Sequence, residues 1–130
     1  SWGFMGVMWG KNVVTTVIRS NRHTYNYIDN GEYFTISFLP EQYKDILSFC
    51  GSHSGRDCNK VEETGLKPLA VNKAVTFEQA KLVFVCKKLY AQRLSQDCFV
   101  DKEQLKWYSE TNPIHTAFVG EIVATYVQND

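Results

Sequence analysis

Apolar positions along the chain fall into runs of two kinds, unbroken and alternating, and both have the periods of strands more often than of helices. Val13 to Arg19 is a β-branched run with no polar alternation, which predicts a strand buried on both faces or nearly so. Tyr33 to Leu39 alternates aromatic and polar residues and predicts a second strand. Leu82 to Arg93 sets a Leu-Val-Phe-Val-Cys centre between lysines and predicts a long one, and Val75 to Phe77 a short one. From Ile114 to Val127, the residues Ile114, Thr116, Phe118, Gly120, Ile122, Ala124 and Tyr126 share one face of a last long strand. Residues 1 to 11 interleave three glycines with tryptophan, methionine and phenylalanine. They predict either a glycine-bulged strand with its aromatics in the core or a backbone that approaches a flat surface, with Lys11 and Asn12 as a polar break.

Helical spacing is confined to short stretches. Thr24 has the chemistry of an N-cap and Gly31 of a stop. Pro40-Glu41-Gln42 reads as the first turn of a helix that carries Tyr43, Ile46, Leu47 and Cys50 on one face and ends at Gly51. Asp57 is placed to cap a short helix ending at Gly65, and Leu66 to Asn72, with Pro68, reads as a connector. Asp101 with Gln104 three residues on predicts a short helix over 102–109, broken by Asn112 and Pro113. Long strands with few short helices between them imply one mainly β domain over residues 1–130, an antiparallel barrel in place of an alternating strand-helix sheet.

Three tryptophans, seven tyrosines and eight phenylalanines strengthen the β assignment. Fourteen basic and 14 acidic residues leave no net field toward nucleic acid or a membrane surface, so any basic site has to be local. No apolar run reaches spanning length and no signal-peptide pattern opens the chain, which sets a cytoplasmic location as the expectation. The absence of an initiator methionine before Ser1-Trp2-Gly3 predicts further chain upstream. Cys50, Cys58, Cys86 and Cys98 form no Cys-x-x-Cys pair and read as reduced, mostly buried thiols, with a Cys50–Cys58 bridge as an unsupported alternative. His23, His53 and His115 lack metal-ligand spacing, so no metal site is expected.

Two stretches carry candidate chemistry. Phe49 to Leu66 contains a loop of glycines, serines, His53 and Arg56 that leads into the Asp57 cap. Unpaired backbone N–H groups, hydroxyls and a guanidinium would there meet at a helix start, as an anion requires. Arg19-Ser20-Asn21-Arg22-His23-Thr24 offers a second such site where a strand gives way to a helix. The competing interpretation of each is a solvated polar turn.

In order along the chain, Ser1-Trp2-Gly3 with Gly6-Val7-Met8-Trp9-Gly10, Arg19 to Tyr25, Phe34 to Phe38, Phe49-Cys50-Gly51, Ser54-Gly55-Arg56-Asp57, Lys60, Glu63 to Leu66, and His115-Thr116 with Gly120-Glu121-Ile122 form a constellation. It resembles the flavin reductase-like proteins of the FMN-binding split-barrel group, flavoredoxins among them. The resemblance implies a Greek-key split β-barrel and FMN lying across a homodimer interface. Arg19, Ser20, Arg22 and Thr24, with Ser54, Gly55 and Arg56, would contact phosphate and ribityl, joined by Cys50, Gly51 and Ser52. Gly3, Met8 and Trp9 would approach the ring. Lys60 and His115 match positions near the flavin or an incoming nicotinamide and are the catalytic candidates. Asn59 stands where many relatives have aspartate and His53 where lysine is frequent. Members usually begin further upstream, so an N-terminal strand is expected to precede Ser1.

The implied activity is an NAD(P)H-dependent flavin reductase passing hydride to the flavin N5, with NADH or NADPH as donor. A flavoredoxin-like electron carrier served by a redox partner protein, and a barrel used only for ligand binding, are the competing functions.

Overall fold

The computed structural model describes residues 1–129. Seven strands, β1 (Trp2–Met8), β2 (Lys11–Arg19), β3 (Tyr33–Phe38), β4 (Pro68–Val71), β5 (Ala74–Phe77), β6 (Leu82–Arg93) and β7 (His115–Val127), alternate with three short helices, α1 (His23–Asn30), α2 (Lys44–Ser52) and α3 (Lys60–Thr64). The main sheet is antiparallel in the order β1-β2-β7-β6-β3. Taken backward along the chain, β7, β6 and β3 are successive neighbours and β2 returns beside β7, which is a Greek key. The ribbon β4-β5 lies against β3, where Thr35 Oγ1 donates to the Val75 carbonyl at 2.7 Å and Ser37 and Thr76 hydroxyls meet at 2.7 Å. Among the described residues, no helix is long and apolar enough to cross a membrane.

The core forms where β2, β6 and β7 are covered. Val14, Ile18, Ile28, Phe34, Cys86 and Phe118 make one cluster and Ala80, Val83 and Val85 a second. Gly120 is required for this packing, since a Cβ there would sit 2.7 Å from two Phe34 ring carbons and 2.9 Å from Cys86 Cβ.

The aromatic residues of β1 are not in the core. The strand pairs β2 in unbroken register from Trp2↔Val17 to Met8↔Lys11, with no bulge, and it is the sheet edge. Trp2, Phe4, Met5, Val7 and Met8 are all exposed, although Trp2 also packs on the rings of Trp107 and His115. Trp9 and Gly10, both at positive φ (56° and 69°), make the two-residue hairpin turn, and Lys11 and Asn12 belong to β2, not to a break.

Helix ends also depart from the sequence expectations. The Arg22 N–H closes a turn on the Arg19 carbonyl at 3.1 Å, which starts α1 two residues early and leaves Thr24 inside it with Arg22 as the N-cap, while Gly31 does end it. A 3₁₀ turn over Glu41–Tyr43 precedes α2, which runs through Gly51 and stops at His53, where both the N–H and Nδ1 reach the Phe49 carbonyl. Asn59, not Asp57, caps α3, its Oδ1 accepting from the N–H groups of Val61 and Glu62. Gly65 closes that helix at φ 72°. Pro68 opens β4 instead of a connector, since the first residue of a strand needs no ladder N–H. The segment after Asp101 is a 3₁₀ helix over Lys102–Trp107. Of the four free cysteines only Cys86 is buried, with Cys50 and Cys58 half-buried and Cys98 exposed.

Candidate functional site

The C-terminal end of β2, the start of α1, the segment from the end of α2 to the start of α3, and the first residue of β7 surround an open cleft of about 1190 Å³. Among the described residues its walls carry Arg19, Arg22, Arg56 and Lys60 against a single carboxylate, Asp57. A chain with no net charge therefore gathers three excess positive charges at one place.

Two loops that are 35 residues apart form this wall together because Arg56 Nη1 donates to the Asn21 carbonyl at 2.7 Å. Gly55 sits where that contact is closest, as a Cβ there would lie 2.7 Å from the His23 ring. The start of α1 supplies N–H groups of His23 and Thr24 that have no partner among the described residues, and the Arg22 side chain likewise has none.

The 54–58 loop meets the expectation only in part. Three of its five backbone N–H groups are consumed internally: Arg56 N donates to Ser54 Oγ at 3.1 Å, and Asp57 N and Cys58 N donate to the Ser54 carbonyl at 3.0 and 3.2 Å. The start of α3 is likewise closed by Asn59. What this segment offers an anion is the Arg56 guanidinium, the Ser54 hydroxyl proton and the N–H groups of Ser54 and Gly55, which have no partner among the described residues.

Lys60 and Arg19 hold the cleft together as well as charging it. Lys60 Nζ donates to the Cys50 carbonyl at 2.7 Å, tying α3 to the end of α2. Arg19 Nη1 donates to the carbonyls of Trp107 and Pro113 at 3.1 Å each, and its guanidinium lies 5.2 Å over the Tyr108 ring.

At the apolar end, Trp2, Val17 and Ile18 line the cleft beside His115. The His115 ring is 6 % exposed and packs 5.0 Å from Trp2. Burial first, then the positive charges of Arg19 and Arg22, pushes its imidazole below the ordinary value of 6.5. It is neutral near pH 7.

Of the residues singled out in the sequence, Arg19, Arg22, Thr24, Cys50, Gly51, Ser54, Gly55, Arg56, Lys60 and His115 come together here. Ser20 and Ser52 do not line the cleft, the Ser52 hydroxyl being turned to the Phe49 carbonyl. Gly3 lies in the strand beside the cleft, where a Cβ would stand 2.6 Å from the Thr15 carbonyl oxygen, so it serves close strand packing. Met8 and Trp9 are at the far end of β1, outside these walls. Sequence reasoning missed Trp2, Asn21 and Tyr27 as lining residues. Tyr27 had a readable signal, its position four residues after His23 on α1, where the two side chains meet at 3.4 Å.

The flavin reductase-like domain model matches residues 4–130. The chain belongs to the flavin reductase-like domain family. Solved structures resemble this flavin reductase-like domain in fold. An FMN-binding protein from Thermus thermophilus with bound p-hydroxybenzaldehyde shares 23% identity at TM-score 0.72, covering 98% of this chain and 61% of that one. Flavoredoxin from Methanosarcina acetivorans shares 18% at TM-score 0.75, covering 98% and 59%. A Shewanella frigidimarina protein with a split barrel domain shares 20% at TM-score 0.72, covering 98% and 57%. The domain has the same antiparallel split-barrel architecture and spans about three fifths of the length of these structures. No curated protein sequence matches it.

Proposed function

We propose that this domain binds FMN in the cleft and works as an NAD(P)H-dependent flavin reductase. The observation that carries the reading is the convergence of Arg22, Arg56 and the open start of α1 on one cleft whose other end is apolar. This donor set fits a phosphate dianion at one end and a flat ring at the other. FMN, when bound, supplies the N5 acceptor for a hydride.

The chain's own residues have separable tasks in this reading. Arg22 and Arg56 hold the phosphate, with hydroxyl donors from Thr24 and Ser54. Trp2, Val17 and Ile18 exclude water from one side of the ring, and His115 presents a neutral nitrogen at its edge. Lys60, fixed by the Cys50 carbonyl, adds positive charge to the wall where a reduced ring gathers negative charge. A homodimer goes with this reading, because the uncovered apolar residues of β1 include the cleft residue Trp2. A reducing cytoplasmic setting suits its four free thiols.

The second function, a flavoredoxin-like electron carrier with a redox protein as partner, is favoured by the likeness to the Methanosarcina acetivorans flavoredoxin. An anaerobic visible spectrum of the FMN-reconstituted protein, taken before and after NADH and then NADPH, separates the two. Bleaching within turnover times supports the reductase and names the donor. A bound flavin that stays oxidised assigns the carrier role. Light scattering at the monomer mass would contradict the dimer.

A further inference from the structure

The His115 ring is held on both sides by aromatic side chains of the chain itself. Trp2 packs 5.0 Å away on one side, and on the other Tyr108 meets the ring at 5.4 Å in an edge arrangement with its Oη 2.7 Å from His115 Nδ1. Tyr108 is itself fixed. Arg19 lies 5.2 Å over its ring, Phe99 packs edge-on at 6.0 Å, and its N–H donates to the Leu105 carbonyl at 3.1 Å. The same Arg19 bonds the carbonyls of Trp107, next to Tyr108, and of Pro113, two residues before His115.

With Nδ1 taken by Tyr108, Nε2 is the ring nitrogen without a partner among the described residues. Among the described residues no buried side-chain nitrogen or oxygen lacks a partner, so Nε2 is the atom of this buried ring that opens into the cleft. The side-chain charges acting on the ring are Arg19 and Arg22, both positive, which oppose a second proton. A phenol donates more readily than it accepts, and the Nδ1 lone pair is its strongest acceptor within reach.

We propose that Tyr108 is a positioning residue that donates to His115 Nδ1 and so locks the neutral Nε2–H tautomer, giving the cleft a fixed N–H donor. The inference rests on the flavin reading only for what that donor serves, namely the electron-rich edge of a reduced ring. The tautomer itself belongs to the chain without flavin.

The test is long-range proton–nitrogen NMR of the ¹⁵N-histidine-labelled protein without flavin near pH 7, for the native chain and for Tyr108→Phe, which keeps the ring that Arg19 and Phe99 contact. The expected native result is a pyridine-type Nδ1 and a pyrrole-type Nε2 for His115. In Tyr108→Phe both tautomers should appear, with His23 and His53 unchanged. A pyrrole-type Nδ1 in the native protein overturns the proposal, and so does an unchanged tautomer ratio in Tyr108→Phe. A protein with the expected tautomer that nevertheless fails to bind FMN would defeat the flavin reading alone.

Discussion

Arg22→Ala separates binding from folding more cleanly than any other change in the cleft. The Arg22 side chain makes no hydrogen bond or ion pair among the described residues and is exposed, so its removal should leave stability within about 0.5 kcal/mol. If its guanidinium bonds the FMN phosphate, the loss is that of a hydrogen bond to a charged group, about 1.5–3 kcal/mol. That corresponds to a dissociation constant roughly 10- to 150-fold higher. Arg56→Ala should weaken FMN by a similar factor, but it also removes the 2.7 Å bond to the Asn21 carbonyl that joins the two loops. Arg93→Ala, at the end of β6 and outside the cleft, should change nothing. Quenching of FMN fluorescence on titration gives the three constants, and urea unfolding gives the stabilities. Unchanged affinity in both Arg22→Ala and Arg56→Ala refutes the phosphate assignment. An equal loss in Arg93→Ala would show that only overall charge matters.

Gly120→Ala should cost about 1–3 kcal/mol by forcing the Phe34 ring and Cys86 apart, read as a melting temperature several degrees lower; an unchanged value would mean that the core yields at no cost. Burial pushes the Cys86 thiol up to about 11, so an aromatic disulfide reagent near pH 8 should modify Cys98 quickly and Cys86 only on unfolding; early loss of Cys86 would contradict its place in the core. Because the folded value of His115 lies below 6.5, the unfolded chain takes up the proton first. The stabilising contribution is then complete above about 6.5 and is lost as pH falls through the window beneath it. Urea midpoints should therefore fall more steeply between about pH 7.5 and 5.5 in the native chain than in His115→Gln, and parallel curves would refute this.

β6 and β7 were readable because unbroken and alternating apolar runs are direct consequences of burial on two faces or one. β1 is the strand expected, without the bulge and without buried aromatics. Composition reports that a segment can be half buried, whereas the exposure of the β1 side chains depends on what the rest of the fold packs against them. Helix caps failed where two candidates competed: Asn59 and Asp57 have equal chemistry, and the bonds of the 56–58 amides to Ser54 moved the helix start onward. The two cationic loops were visible one at a time. Their union depends on the Arg56–Asn21 bond, and the approach of His115 depends on its pairing with Arg19 across the β2–β7 ladder. Neither leaves a local pattern, and the seven-residue separation of Tyr108 from His115 across a proline-containing turn leaves none either.

The central claim is that this cleft holds a flavin by its phosphate, and a paired equilibrium titration with FMN and riboflavin tests it most directly. The two ligands share the ring and ribityl chain and differ only in the group that Arg22, Arg56 and the start of α1 would bind. Saturable binding of one FMN per chain, about 100-fold or more tighter than riboflavin, is the predicted result. Equal affinity for the two, or no saturation by either, would contradict it.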